Sequence, residues 1–412
     1  MTLSKPALDA LSPAVAGSSA LATPLPRVLR PQRAVPSDAV RPTRAEVNLA
    51  HLRHNLRVIQ RTAAGAGVWA VLKADGYGHG AKAVARTLER AGATGICVAL
   101  LEEGIELRQA GIKLPILVTG GYYGRAWGEL LRNDLTPVVH EPRQVEAIAE
   151  EVRFSGAEPL PIHLKVDTGM ARLGVMPRDV PMMAGVIQRF PEVRLEGLMT
   201  HFACADSLDT ESIDHQLDLF EQASASLKSL GLSPALRHAA NSAALLKSPR
   251  SRLDVVRPGI ALFGVPPHPG LTSELRPVMQ VRTEIVALRE IASGQAVGYG
   301  ATWKAARTSR IATIPVGYAD GLSRALSNRG ELLVRGKRAP IVGAVSMDMT
   351  MLDVTEIEGV AVGDECMVLG GQKGPLGQDS IGAAEIAARL GTIPWEVLTD
   401  VSRRVPRFYR EP

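Results

Sequence analysis

From Gly67 onward the chain repeats one unit: a short apolar segment, a turn, then a stretch with apolar residues at helical spacing. The apolar segments are GVWAVL (67–72), GICVAL (95–100), PILVTG (115–120), LTPVVH (135–140), PIHLKVD (161–167), LEGLMTHF (195–202), ALRHAA (235–240) and LDVVRPGIALFG (253–264). Most are nearly continuous in apolar character, as a strand covered on both faces must be. Helical patterns such as AKAVARTLERAG and LEEGIELRQAG lie between them, and the long stretch 212–230 follows the sixth. Eight units over about 200 residues predict an α/β fold, a parallel (β/α)8 TIM-like barrel. The seventh unit carries the weakest pattern.

After residue 278 the pattern changes. VMQVRTEIVAL, SRIATIPVGY, ELLVRG, APIVGAVSMDMTMLDV and ECMVLG read as strands joined by turns, and IGAAEIAARLG as one helix. The expected organisation is a tail over 1–44, a barrel over 45–277 and a mostly antiparallel β-rich domain over 278–412.

The net charge of +5 is concentrated at one end. Residues 1–44 hold six basic residues (Lys5, Arg27, Arg30, Arg33, Arg41, Arg44) against Asp9 and Asp38, a balance of +4, which leaves +1 (5 − 4) for the rest. That is too little for a nucleic-acid footprint on the folded part. The first segment is rich in Ala, Ser, Pro and Leu without periodicity, and reads as a disordered tail. A signal peptide is the rival reading, weakened by Asp9, Pro13 and the lack of a leucine-rich core. Three widely spaced cysteines, Cys97, Cys204 and Cys366, argue for a reducing, cytoplasmic setting and against disulfides or a zinc site. No stretch reaches the roughly 20 apolar residues of a membrane helix.

In such a barrel, function sits at the C-terminal ends of the strands. Lys73 follows the first strand in VLKADGYGHG, where an ammonium is costly unless neutralised or used. A desolvated lysine loses its proton readily and attacks a carbonyl to form a Schiff base. Lys165 and Asp167 end the fifth strand, followed by Arg172, and His201 ends the sixth. Asn241 and Ser242 follow the seventh, and Arg257 lies in the eighth before Pro258, Gly259 and Ile260. Singly, Lys73 reads as a snorkelling side chain, Arg172 as a surface charge, His201 as a core histidine and Ser242 as a helix cap. Together, at matching strand ends, they read as a site. Ser242 at a helix start, the N–H groups of Gly259 and Ile260, and the Tyr77 hydroxyl suit a phosphate dianion. A Schiff-base lysine beside a phosphate cradle points to pyridoxal phosphate, and aldolase-type barrels combine the same two features.

The motifs VLKADGYGHG, HLKVDTGMARLGV, THFACAD, NSAA, VRPGIALFG, GYGATW, PVGYADG and VGAVSMDMT occur in an order that resembles bacterial alanine racemases, from about Ala45 to Phe408. The resemblance implies a fold-type III pyridoxal-phosphate enzyme, a homodimer with active sites at the interface, interconverting L- and D-alanine and supplying D-alanine for peptidoglycan. It implies Lys73 as the cofactor's lysine and one base, and Tyr299 of the partner subunit as the other base. Tyrosine is a poor base near neutrality, and a cation network of His201 and Arg257 is expected to lower its pKa. The resemblance also sets Arg257 against the pyridine nitrogen, Arg172 at the phenolic oxygen and substrate carboxylate, and Met347 and Asp348 at that carboxylate. Tyr77, Ser242, Gly259 and Ile260 match the phosphate binders, and Lys165 matches a lysine carbamylated in some members. Arg403 stands where the family often has tyrosine, which keeps a broad-specificity racemase of the same fold as the alternative. A decarboxylase is disfavoured by Arg257. A cofactor carrier, resembling the barrel alone, is disfavoured by the second domain.

Overall fold

The computed structural model describes residues 41–120, 126–207, 210–268, 271 and 274–411, and residues 1–40 of the expected tail lie outside them. Strand β1 (Arg44–Asn48) pairs antiparallel with Met279–Glu284 and parallel with Arg407–Arg410. Residues 45–48, expected with the barrel, thus hydrogen-bond into the second sheet instead. The pairing buries Ala45 and Val47, while Glu46 is met by Arg44, Arg282 and Arg410. A buried carboxylate is tolerable only with partners of this kind. Helix α1 (Leu49–Ala63) follows, capped by Asn48, whose side chain accepts from His51 N at 3.0 Å.

Eight parallel strands then build the barrel: β2 (Gly67–Val71), β3 (Gly95–Val98), β4 (Ile116–Val118), β5 (Thr136–Val139), β6 (Leu160–Lys165), β7 (Val193–Met199), β8 (Leu236–His238) and β9 (Val255–Val256). Their spatial order is β8-β7-β6-β5-β4-β3-β2-β9. Asp254 N and Arg257 N donate to Arg237 O and Ala240 O, at 3.1 and 2.9 Å, and close the ring between β8 and β9. The expected eight-stranded barrel is therefore present, and its eighth strand is the shortest. Most of the apolar core lies between strands and outer helices. A smaller cluster of Trp69, Cys97, Leu117, Val138, Met199 and Val255 forms apart from it.

The second region is mostly antiparallel, as its turn-rich sequence predicts. One sheet runs Lys337–Pro340, Glu331–Val334, Glu365–Gly374, Met279–Glu284, β1, Arg407–Arg410, and a three-stranded sheet joins Ala287–Ile291, Ser309–Ile314 and Thr350–Asp353. A two-stranded ribbon, Ala296–Val297 with Trp303–Lys304, carries Tyr299 in its connection. The helix Ala383–Leu390 lies where the sequence predicts it, and a second, Pro394–Thr399, follows. Among the described residues no helix is long and apolar enough to cross a membrane, and no His/Cys/Asp/Glu group could hold a metal ion.

Candidate active site

A cavity of about 540 Å³ opens at the C-terminal ends of the barrel strands. Lys73, Tyr77, Lys165, Arg172, His201, Ser242, Arg257, Gly259 and Ile260 all line it. The barrel residues expected to hold cofactor and substrate are therefore brought to one place, with Asp167 outside the lining.

The turn that carries Lys73 is unusual. Ala74, Asp75, Gly76 and Tyr77 have φ of 53°, 53°, 62° and 53°, a single turn of left-handed helix just past β2. Such a conformation costs about 1–2 kcal/mol for each non-glycine residue. Local bonds offset it: Gly76 N donates to Leu72 O at 2.9 Å, Ala74 N to Glu103 Oε1 at 2.6 Å, and Ala81 N to Asp75 Oδ1 at 2.8 Å. Burial lowers the Lys73 pKa and Arg172 lowers it further, while Glu103 pulls the other way. Lys165 is pushed down to about 8, first by burial and then by Arg172 and Arg257, opposed by Asp167.

Asp167 shapes the loop beyond β6. Its Oδ1 accepts from Gly169 N (2.9 Å) and Met170 N (2.8 Å), and its Oδ2 from Arg172 N (3.2 Å). Burial opposes the charge, but these donors hold the carboxyl below its ordinary pKa. Gln216 joins this loop to the next, donating to Thr168 Oγ1 at 3.0 Å and accepting from Ala203 N at 3.0 Å.

Arg257 is buried, and its guanidinium donates to His238 Nδ1 (2.7 Å), Thr200 O (2.7 Å) and Ala239 O (3.1 Å), with His201 Nδ1 at 3.4 Å. His201 is held neutral, well below its usual pKa, by burial and by Arg257, Lys165, Arg172 and Lys73. Of the two groups expected to form a cation network, Arg257 is thus the one that keeps its proton, while burial and its neighbours disfavour a charge on His201. Burial pushes the Tyr77 pKa upward, with Cys97 adding to the shift, so its hydroxyl serves as a neutral hydrogen-bonding group.

The anion cradle takes shape around Gly259. Ser242 Oγ accepts from Gly259 N at 2.9 Å and Ala261 N at 3.3 Å, beside the start of the helix Ser242–Lys247. A Cβ on Gly259 would lie 2.3 Å from the Tyr77 hydroxyl, so only glycine lets that hydroxyl and the backbone close on one point. A neutral phenol and a serine hydroxyl beside a helix start fit a phosphate. With a desolvated lysine in reach of the same cavity, the residue set fits pyridoxal phosphate.

Comparison with known proteins agrees over nearly the whole chain. The family model for the alanine racemase N-terminal domain matches residues 47–267, and that for the C-terminal domain matches 278–409. The chain belongs to the alanine racemase family. It is 60% identical over 379 residues to an alanine racemase of Sorangium cellulosum, covering 90% of this chain and 100% of that protein. An alanine racemase of Symbiobacterium thermophilum is 42% identical over 375 residues, with 90% and 98% covered. Among solved structures, the alanine racemase of a D-cycloserine-producing Streptomyces lavendulae aligns with a TM-score of 0.85 at 34% identity, covering 90% of this chain and 98% of that one. The Bacillus anthracis alanine racemase with bound L-Ala-P aligns at 0.84, also at 34% identity, with 90% and 96% covered.

In this racemase-family chain the second-domain residues expected at the site, Tyr299, Met347 and Asp348, lie apart from the cavity. Tyr299 is 75% exposed and Met347 51% exposed, and neither they nor Asp348 line it. Asp348 pairs with Arg404 at 2.6 Å. Tyr318 N and Ala319 N, from PVGYADG, donate to Ser346 O and Met347 O and hold the loop that presents Met347. Arg403 is exposed and outside the cavity lining. The sequence reading missed the cavity's outer wall, formed by Ile393, Trp395, Glu396 and Thr399. The signal available was IPWEVLT, a proline-started apolar–polar run just before RVPR. It also passed over His163 and His238, which stack against Trp69 inside the barrel with centroids 5.5 and 6.0 Å away.

Proposed function

We propose that this chain is a pyridoxal-phosphate-dependent racemase interconverting L- and D-alanine by a two-base mechanism. The observation that carries the reading is the convergence of Lys73, Arg257 and the Ser242–Gly259–Tyr77 cradle on one cavity, in a chain of this family. Lys73 would hold the cofactor covalently, and Tyr77, Ser242, Gly259 and Ile260 its phosphate. Bound there, pyridoxal phosphate would supply a conjugated ring that stabilises negative charge at the substrate Cα.

The remaining work falls to this chain's side chains. Racemisation requires a proton to leave one face of Cα and another to arrive on the opposite face, which one side chain cannot do alone. Lys73 Nζ, its pKa lowered by burial and Arg172, would be the base on one face. Tyr299 of the partner subunit would act on the other face, since Tyr299 stands exposed on a ribbon and outside its own chain's cavity. Arg257 keeps its proton, so at the ring nitrogen it would donate a hydrogen bond without protonating it. His201, neutral, would orient and not charge this network. Arg172, with Met347 and Asp348 of the partner subunit, would take the substrate carboxylate. Lys165, with a pKa near 8, is nucleophilic enough for carbamylation, which would turn it into a carboxylate-like partner for Arg172. The proposal includes a homodimer, a cytoplasmic location and supply of D-alanine for peptidoglycan.

The test is to load the protein with pyridoxal phosphate and follow D- and L-alanine, serine, lysine and arginine by chiral chromatography. Alanine should racemise fastest. Absence of any interconversion would overturn the reading, and equal rates across the panel would replace alanine with a broad substrate class.

A further inference from the structure

Behind Arg257, away from the cavity, a line of buried polar groups crosses the barrel interior. Arg257 Nη1 lies 2.7 Å from His238 Nδ1, His238 Nε2 lies 2.8 Å from His163 Nδ1, and His163 Nε2 lies 3.5 Å from Glu196 Oε2. Both imidazoles are buried and held neutral, chiefly by desolvation. Arginine can only donate, so His238 Nδ1 must accept and its proton must sit on Nε2. That proton points to His163 Nδ1, which fixes the His163 proton on Nε2. His163 Nε2 has no closer acceptor among the described residues, so the Glu196 carboxylate is the only group facing it. Donor at one end and acceptor at the other leave one consistent arrangement of protons.

Two further features are built around this line. The pairing of β6 with β7 runs Ile162 to Leu195 and then His163 to Gly197, so Glu196 is the extra residue of a bulge. Bulges re-aim a side chain, and here the bulged residue's carboxylate faces His163. The next residue has to be glycine, because a Cβ on Gly197 would lie 2.4 Å from His163 Nδ1. The other Glu196 oxygen is met by Arg194 at 3.2 Å.

We propose that Glu196 and His163 are positioning residues that act through His238 to hold Arg257 in a single orientation at the cavity. The proposal deepens the racemase reading, on which the role of Arg257 rests. Its test uses holoenzyme with ¹⁵N-labelled histidine, and compares wild type with Glu196→Gln, which keeps an acceptor oxygen, and Glu196→Leu, which does not. Wild type should show His163 and His238 both protonated on Nε2, and a wild-type Nδ1–H signal from His238 would overturn the proposal without any variant. Glu196→Gln should keep both tautomers and lose less than about threefold in kcat. Glu196→Leu should perturb the His163 and His238 nitrogens and lower kcat roughly tenfold with KM little changed, the scale seen when an outer-shell partner is lost. Unchanged nitrogen shifts and unchanged kcat in a folded Glu196→Leu protein would also overturn it. If wild type racemises nothing, the proposed function fails, while the tautomers still decide the inference.

Discussion

Lys73 and His79 sit six residues apart, and burial disfavours the charged form of each. For Lys73, burial and Arg172 disfavour the ammonium and lower its pKa, opposed by Glu103. Lys73→Ala, loaded with pyridoxal phosphate and dialysed, is expected to lose all protein-bound visible absorbance, and a dialysis-resistant band would refute the covalent assignment. His79 is fully buried, stacks on Phe263 at 4.3 Å and has its Nε2 without a partner. Burial lowers its pKa to about 4, outweighing the carbonyls of Tyr77 and Gly76. A histidine kept neutral in the fold but protonated near 6.5 in the unfolded chain stabilises the fold above that pH. The contribution falls away as pH drops from about 6.5 to about 4, by on the order of 3 kcal/mol. His163, His201 and His238 shift in the same direction and add to the slope. Urea unfolding at pH 7 and pH 5 checks this: wild type should lose stability at the lower pH, and His79→Gln should lose measurably less.

At the scale of elements, the proposed phosphate site turns on the loop after β9. Gly259→Ala places a methyl against the Tyr77 hydroxyl, so it should weaken cofactor binding at least about tenfold, equivalent to about 1.4 kcal/mol, with little change in melting temperature. A pyridoxal-phosphate titration of the variant reads this directly, and wild-type affinity would show that the cradle is elsewhere. The left-handed turn gives a second case. Asp75→Ala removes the acceptor for Ala81 N and should cost about 1–2 kcal/mol, as loss of a helix cap does. An unchanged denaturation midpoint would mean that the turn is held by Glu103 and the backbone alone. Both elements mark the limit of reading from sequence. The strands before them were legible because buried parallel strands are apolar on both faces, and Lys73, Ser242 and Gly259 were legible because they follow those strands. The handedness of the turn was not, since Ala74 and Asp75 carry no sign of positive φ. Glu196 and His163 were hidden for another reason: they lie within strands, below the mouth where function is sought.

At the scale of the whole molecule, the sequence gives no clue to where β1 goes. RAEVN is a short alternating segment next to a barrel pattern, and its partners, Met279–Glu284 and Arg407–Arg410, are more than 200 residues away. The proposed site has the same long-range character. One chain gathers the lysine, arginines and phosphate cradle in its barrel, while Tyr299, Tyr318, Met347 and Met349 stand exposed on the second region. In the proposed homodimer these exposed side chains would belong to the surface that meets the partner. If two copies complete each other's sites, a subunit lacking Lys73 and one lacking Tyr299 fail for different sites. Homodimers of Lys73→Ala and of Tyr299→Phe should each be inactive. Mixed and exchanged, they form hybrids in which one site has lost both groups and the other retains both. Random exchange makes about half the dimers hybrid, each with one intact site of two, so activity should recover to about a quarter of wild type. Exchange is verified by separating differently tagged subunits. If hybrids form and activity stays at the background of the two parents, both bases come from one chain and the shared site is wrong.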